Sequence, residues 1–177
     1  MLTRRAFQTE EETVPKQKTK ARTAAKDALT LLKEDHDKVR ELLTKLEEAE
    51  GKSRVATLRT IEQELKVHTK IEEDIFYPAF REAAEKEEDT ELYFEALEEH
   101  HVVDLVLPEI METDSNAGEF AAKAKVLKDL VEHHAEEEEK EMFPRAKKLM
   151  KKDQLLDLGQ QLAEAKQALM SGAPVTG

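Results

Sequence analysis

Hydrophobic residues recur every three or four positions in five stretches of the chain, with charged residues between them. In the first stretch Leu29, Leu32, Val39 and Leu43 follow this spacing. The period places the apolar side chains on one face of a helix. The pattern therefore predicts five amphipathic helices. Their stripes lie at residues 25–46, 55–79, 93–110, 120–142 and 154–170.

Breaks between the stripes divide the first four helices into two hairpins. Gly51 separates the first predicted helix from the second, and Ser53 is a candidate N-cap for the second helix. The charged residues 85–89 are expected to connect the hairpins, and the loop-forming residues 112–118 separate the third helix from the fourth. Two hairpins that bury their stripes against each other form an all-α, up-down four-helix bundle. Pro78, late in the second stripe, is expected to kink or end its helix.

The domain boundaries follow from the same pattern. The bundle is predicted to span residues 23–150, and an additional C-terminal helix, 151–171, is expected to pack on its outside. Residues 172–177 are predicted to be a frayed tail. Residues 1–22 carry several Lys and Arg and lack an apolar core. They are therefore predicted to form a disordered basic tail and not a secretory signal.

Histidines and glutamates interrupt the apolar stripes at positions where hydrophobic residues are expected. His36, for example, lies between Leu32 and Val39. The two hairpins repeat the arrangement, with paired histidines 32 and 34 residues apart and a glutamate four residues after the second histidine. The candidate metal ligands are His36, His68, Glu72, His100, His134 and Glu138.

These residue types at this spacing indicate metal binding. A buried unpaired carboxylate is very costly, so a core with two of them needs a positive partner. Residues four apart on a helix are neighbours, so each His-x-x-x-Glu pair can reach one ion. Imidazole with carboxylate suits iron, manganese or zinc. Overlaying the two halves selects His100 and His134 and leaves their neighbours His101 and His133 as surface or supporting groups.

Composition excludes several other classes of function. The net charge of −12 disfavours a nucleic-acid partner and an anionic membrane. The chain has no cysteine, so thiolate metal sites and cysteine nucleophiles are excluded. No run approaches the roughly 20 apolar residues of a membrane helix. We therefore expect a cytoplasmic protein without a membrane partner.

The repeated motif resembles the hemerythrin-like HHE cation-binding domains. The resemblance covers about residues 27–150 and includes Phe76-Tyr77-Pro78 and Met142-Phe143-Pro144 after the paired motifs. It implies a bundle that holds two non-haem iron ions with an oxo or hydroxo bridge. By position, the four histidines would be terminal ligands, and Glu72 and Glu138 would bridge the irons.

The resemblance also implies a function. Six ligands leave open positions for O2, peroxide or nitric oxide, so we expect a protein that binds or reacts with such species under oxidative or nitrosative stress. Weak peroxidase, catalase-like or oxidase activity would fit. An oxygen or iron sensor, or an iron-storage module, is the alternative. Any electron donor must be another molecule. Oxygen-carrying hemerythrins have a fifth histidine where this chain has Asp104, and a different carboxylate spacing near Glu139.

Overall fold

The computed structural model describes residues 26–172 and contains only helices over that range. The predicted all-α class is confirmed. Residues 1–22 and most of the C-terminal tail lie outside the described range, so their predicted disorder stays a prediction. The helices are α1 (Ala28–Glu48), α2 (Gly51–Ile71), α3 (Tyr77–Ala83), α4 (Glu87–Glu112), α5 (Gly118–Glu137), α6 (Phe143–Leu149) and α7 (Lys152–Ser171).

Helices α1, α2, α4 and α5 form the up-down bundle, as predicted. Within each hairpin the two helices pack against each other, α1 with α2 and α4 with α5. The two hairpins meet where α1 packs against α5 and α2 against α4. The interior divides into two hydrophobic clusters. One contains Leu43, Ile61 and Leu127, and the other contains Phe76 and Phe80. The histidines of the stripes lie between these two clusters, in the middle of the bundle.

A π-helical turn follows each His-x-x-x-Glu motif and continues the helix beyond it. The turns are Glu72–Phe76, between α2 and α3, and Glu138–Met142, between α5 and α6. In each turn a backbone N–H bonds to the carbonyl five residues earlier, from Tyr77 to Glu72 and from Phe143 to Glu138. Pro78 and Pro144 follow directly. Proline lacks an N–H and its ring crowds the carbonyl four residues back, and the wider turn accommodates this. The helix therefore does not end at Pro78.

Two of the predicted connections differ from the structure. Ser53 lies inside α2, which begins at Gly51, where the backbone takes a positive φ of 52° that glycine permits. The segment expected to connect the hairpins is shorter than 85–89, because α4 begins at Glu87. Asp89 lies in the first turn of α4 and accepts the backbone N–H of Lys86. This carboxylate satisfies a donor that the helix leaves free, so it favours the earlier start.

The C-terminal helix α7 packs on the outside of the bundle against α1 and α2. Its Leu155 and Leu162 are buried in the cluster that contains Phe76. Gly159 of α7 packs directly against the backbone at the start of α1, where an added Cβ would lie 2.3 Å from the Lys26 carbonyl oxygen. The predicted additional C-terminal helix is confirmed. Over residues 26–172 no helix has the length and apolar character needed to cross a membrane.

Candidate metal centre

The six candidate ligands come together in the middle of the bundle, between the two hydrophobic clusters. Each supporting helix contributes one histidine, and the first residue of each π-helical turn contributes a glutamate. All six side chains are buried, and Glu72 is fully enclosed. The site is therefore inside the protein and not in a surface cleft. We refer to His36, His68, Glu72, His100, His134 and Glu138 as the metal centre.

Distances within the metal centre divide it into two groups that share a carboxylate. One group of ligand atoms comes from His36, His68, Glu72 and Glu138, and the other from Glu72, His100 and His134. In each group the atoms lie within 4.8 Å of one another. Two ions could therefore be held side by side, each by a pair of histidines.

Each glutamate of the centre lies between histidines of the two hairpins. Glu72 Oε2 is 3.2 Å from His68 Nε2 and 3.4 Å from His100 Nε2. Glu138 Oε2 is 3.2 Å from His36 Nε2 and 3.8 Å from His134 Nε2. Each of these oxygens thus faces one histidine from each hairpin, and the arrangement is repeated by the pseudo-twofold symmetry of the bundle.

Seven buried polar atoms have no hydrogen-bond partner among the described residues. They are His36 Nε2, both ring nitrogens of His68, and both carboxylate oxygens of Glu72 and Glu138. Native cores almost always satisfy such groups, and leaving them unsatisfied costs about 1–3 kcal/mol each. All of these atoms belong to the metal centre. Their number and chemical type fit bound cations, so the residues present can hold the metal pair that the resemblance implies.

A carboxylate faces the outer ring nitrogen, Nδ1, of every histidine in the centre. Three of these carboxylates accept a hydrogen bond from Nδ1, while Asp35 lies at a longer distance from His68. Such contacts fix the imidazole tautomer and leave Nε2 free to bind metal. The pairs are His36 with Glu139 (3.1 Å), His68 with Asp35 (3.8 Å), His100 with Glu73 (2.9 Å) and His134 with Glu99 (2.7 Å).

Sequence reasoning missed these four outer carboxylates as functional residues. Each is adjacent in the chain to a ligand of the centre: Asp35 and Glu99 precede a histidine, and Glu73 and Glu139 follow a glutamate. Each supports a histidine on a different helix, so the pairing depends on how the helices pack. The sequence signal was the acidic neighbour, repeated in both hairpins. In the second hairpin this acidic neighbour could not be distinguished, because residues 136–139 are four consecutive glutamates.

Burial and neighbouring charges shift the ionisation of the two central glutamates in opposite directions. Burial, reinforced by the Glu138 carboxylate, raises the pKa of Glu72 well above its ordinary value. Glu138 is buried too, but the surrounding His134, His36 and His68 outweigh this and lower its pKa. Burial lowers the pKa of His68 to about 4. The protein environment thus keeps His68 in the neutral form, which is the form that binds metal.

Outside the centre, Glu139 is held as a carboxylate. The hydrogen bond from His36 is the main cause that lowers the pKa of Glu139 to about 2, and Lys33 and Arg40 contribute while partial burial opposes them. Arg40 donates to Glu139 at 2.7 Å. Glu139 therefore lies on the Nδ1 side of His36, together with Lys33 and Arg40. Asp104, which stands where oxygen-carrying hemerythrins have a fifth histidine, is exposed.

Aromatic rings close one end of the centre, and they break its symmetry. Phe143 stacks on His36 with ring centroids 5.8 Å apart, and Tyr77 takes the matching place on His100 at 5.4 Å. The Tyr77 hydroxyl lies 3.3 Å from His100 Nε2. Burial and the nearby Glu138 and Glu72 raise the pKa of Tyr77 well above its ordinary value, so the hydroxyl keeps its proton. One half of the centre therefore has a hydrogen-bond donor that the other half lacks.

A small cavity of about 20 Å³ adjoins the other side of the centre. All four histidines line it, together with apolar side chains that include Val39, Leu65, Val103 and Val131. A volume of this size holds about one water-sized molecule. The space beside the histidines therefore fits a ligand of a few atoms.

The two remaining histidines lie outside the centre. His101 is exposed on α4. His133 is also exposed, and its Nε2 is 3.5 Å from Glu99 and 3.6 Å from Glu137. The structure thus turns His100 and His134 inward and their neighbours outward.

Comparison with known proteins agrees with this geometry. The model of the hemerythrin HHE cation-binding domain matches residues 27–146. A crystal structure of a hemerythrin HHE cation-binding domain-containing protein from Mycobacterium kansasii superimposes with a TM-score of 0.74 at 29% identity, and the match covers 83% of this chain and 89% of that one. A DNA nickase from Nostoc sp. is 25% identical over 83% of this chain. The match covers 42% of the nickase.

Proposed function

Because the chain belongs to the hemerythrin HHE cation-binding domain family, we propose that its metal centre holds two iron ions and reacts with O2, peroxide or nitric oxide. The observation that carries this proposal is the set of seven buried atoms without hydrogen-bond partners. His36 and His68 would hold one ion, His100 and His134 the other, and Glu72 and Glu138 would lie between them. A role in oxidative or nitrosative stress follows from this reactivity.

The choice of iron and of small ligands rests on the chemistry of the donor set. Imidazole and carboxylate ligands without thiolate suit iron, manganese and zinc. Zinc has no redox chemistry, and histidine with carboxylate is the usual ligand set of non-haem iron in oxygen chemistry, so iron is favoured. Bound iron would supply the redox chemistry and open positions for the ligand. Two carboxylates offset half of the four positive charges of two ferrous ions, so the remaining charge favours an anionic ligand such as peroxide.

The protein's own residues prepare the site for such a ligand. The outer carboxylates orient the imidazoles, so little reorganisation is needed when a ligand binds. The apolar side chains Val39, Leu65, Val103 and Val131 limit the water around the histidines. Tyr77 keeps a proton on its hydroxyl and can donate a hydrogen bond to a bound oxygen species near His100. The cavity beside the histidines has a volume of only about 20 Å³ and so favours very small ligands.

We do not extend the nicking activity of the Nostoc relative to this chain. More than half of that protein lies outside the match. The net charge of −12 also opposes a polyanionic partner.

Anaerobic loading of the full chain with ferrous iron tests the proposal. We expect two irons per chain, and hydrogen peroxide consumption well above that of the same amount of free iron. Glu138→Gln should bind less iron and lose most of this activity. The matched variant Glu136→Gln, which changes an exposed glutamate two residues earlier, should behave as wild type. Fewer than two irons in the wild type would refute the metal pair. Two irons with no reaction towards peroxide, O2 or nitric oxide would leave storage or sensing as the function.

A further inference from the structure

The two hairpins can be compared residue by residue, and they differ on their outer faces. The His36 helix matches the His100 helix, and the His68 helix matches the His134 helix. Asp35 then corresponds to Glu99, since each precedes a histidine of the centre. Val67 and Ile71 correspond to His133 and Glu137 in the same way. Two apolar residues of the first hairpin are thus replaced by two metal-binding residue types in the second.

In the first hairpin, α7 covers this face and supplies a positive charge. The Lys166 ammonium of α7 donates to Asp35, whose carboxylate faces His68. Val67 and Ile71 are buried, and Ile71 belongs to the cluster that contains Leu155 and Leu162 of α7. A cation from outside the bundle therefore balances the carboxylate behind one histidine of the centre.

In the second hairpin, none of the helices described here covers the equivalent face. Glu99 accepts from His134 through Oε2, at 2.7 Å, just as Asp35 faces His68. Within residues 26–172, however, neither Glu99 nor Glu137 has a Lys or Arg within ion-pair distance. Glu95 and Glu141 add further negative charge nearby. Among the described residues, no lysine or arginine of the second hairpin takes the position that Lys166 occupies beside Asp35 in the first.

We propose that Glu99, His133 and Glu137 form a surface site for a divalent transition-metal ion, separate from the buried centre. Their ligand atoms lie within 4.8 Å of one another, and Nε2 of His133 is 3.5 Å from Glu99 Oε1 and 3.6 Å from Glu137 Oε1. Ligand atoms held about 2.1 Å from one tetrahedral ion lie about 3.4 Å apart. One imidazole and two carboxylates suit Zn²⁺, Fe²⁺ or Mn²⁺, and water can complete the coordination because His133 is exposed.

Glu99 connects this surface site to the buried centre. Its Oε1 faces His133, and its Oε2 accepts the Nδ1 proton of His134. One carboxylate can therefore bind the surface ion with one oxygen and orient a histidine of the centre with the other. The ion would take the part that Lys166 plays for Asp35. This inference does not depend on which metal the buried centre holds.

Zinc binding by the full-length apo chain tests the inference, measured by equilibrium dialysis and by calorimetric titration. We expect the wild type to bind one more zinc ion per chain than His133→Ala, or to bind that ion at least about 10-fold more tightly. Glu137→Gln should have the same effect. His101→Ala is the matched control, since it removes the other exposed histidine beside a ligand of the centre, and it should bind as much zinc as the wild type.

Circular dichroism of the variants separates a lost site from a lost fold. Both substituted side chains are partly or largely exposed, so the helix content should not change. Equal zinc stoichiometry and affinity in the wild type, His133→Ala and Glu137→Gln would overturn the inference. Such a result would mean that the three side chains contact one another directly and hold no ion.

Discussion

The hydroxyl of Tyr77 lies 3.3 Å from Nε2 of His100, the nitrogen that faces the metal centre. The pseudo-symmetric position beside His36 is occupied by Phe143, which stacks on the imidazole but has no polar atom. The two ions of a symmetric ligand set would therefore lie in unequal surroundings. A ligand bound on the His100 side can receive a hydrogen bond, and one on the His36 side cannot.

Tyr77→Phe should slow the reaction with peroxide without removing the metal. The change deletes one buried hydroxyl whose nearest partner is a metal-facing nitrogen, so the iron content should stay at two per chain. We expect the peroxide rate to fall by about 10-fold, the size of effect that loss of one hydrogen bond to the bound ligand would have. Tyr93→Phe, at the only other tyrosine, is the control. Unchanged rates in Tyr77→Phe would show that the hydroxyl has a packing role alone.

Substitution of adjacent histidines should have opposite effects on metal content. His100→Ala removes a buried ligand and should lower the iron content to one per chain or less, as measured by metal analysis. His101→Ala alters an exposed side chain on the same helix and should leave it at two. Equal losses in both variants would contradict the helix register seen in the structure.

Removal of metal should destabilise the fold. The apo protein keeps seven buried polar atoms without partners, whereas metal binds the native state and offsets their desolvation. We expect chelation to lower the free energy of unfolding by about 3 kcal/mol or more at saturating iron. Thermal melting of the loaded and chelated forms measures this. A His100→Ala/His134→Ala double variant should show a much smaller difference between the two forms.

The ionised carboxylate of Asp89 should stabilise the fold, and this stabilisation should be lost at low pH. The carboxylate accepts from Arg145 at 2.7 Å and from the N–H of Lys86. Burial opposes its ionisation, but these bonds outweigh it and lower the pKa of Asp89. A lowered pKa means that the contribution is complete above the ordinary carboxyl pKa of about 3.9 and is lost as pH falls through the lower folded value.

Asp89→Asn should therefore cost about 1–2 kcal/mol near pH 7 in apo protein, and the difference from wild type should shrink on acidification. Urea unfolding across pH measures both. Asp129→Asn changes an exposed carboxylate paired with Lys125 and should cost little at any pH. A cost for Asp89→Asn that does not depend on pH would mean that packing, and not the charge, is responsible.

Gly159→Ala should loosen α7 despite the higher helix propensity of alanine. The new methyl group would lie 2.3 Å from the Lys26 carbonyl oxygen and 2.9 Å from the Ala28 nitrogen, which are backbone atoms that cannot rotate away. Overpacking of this kind costs about 1–3 kcal/mol, more than the ~1 kcal/mol gained in propensity. Gly118→Ala in α5 meets no atom and is the control. Greater stability in Gly159→Ala would contradict the close approach.

The sequence predicted the bundle well because hydrophobic residues recur at the helical period over long stretches of the chain. The six residues of the centre stood out for the same reason, since polar residues on an apolar stripe are conspicuous. The outer carboxylates could not be assigned, because each acts on a histidine of another helix. Val67 and His133 show the same limit. The repeat equates these two positions, but their different surroundings become visible only when α7 is placed on one hairpin and not on the other.

The π-helical turns fix the rotational phase between the ligands and the aromatic rings. Each residue of an α-helix advances the side-chain direction by about 100°. Loss of one residue from the first turn, such as the exposed Asp74, would restore a continuous α-helix and rotate everything after it by that angle. His68 and Glu72 would keep their spacing, but Tyr77 would face away from His100. The length of this turn therefore decides whether a hydroxyl reaches the metal centre, although none of the metal ligands would change.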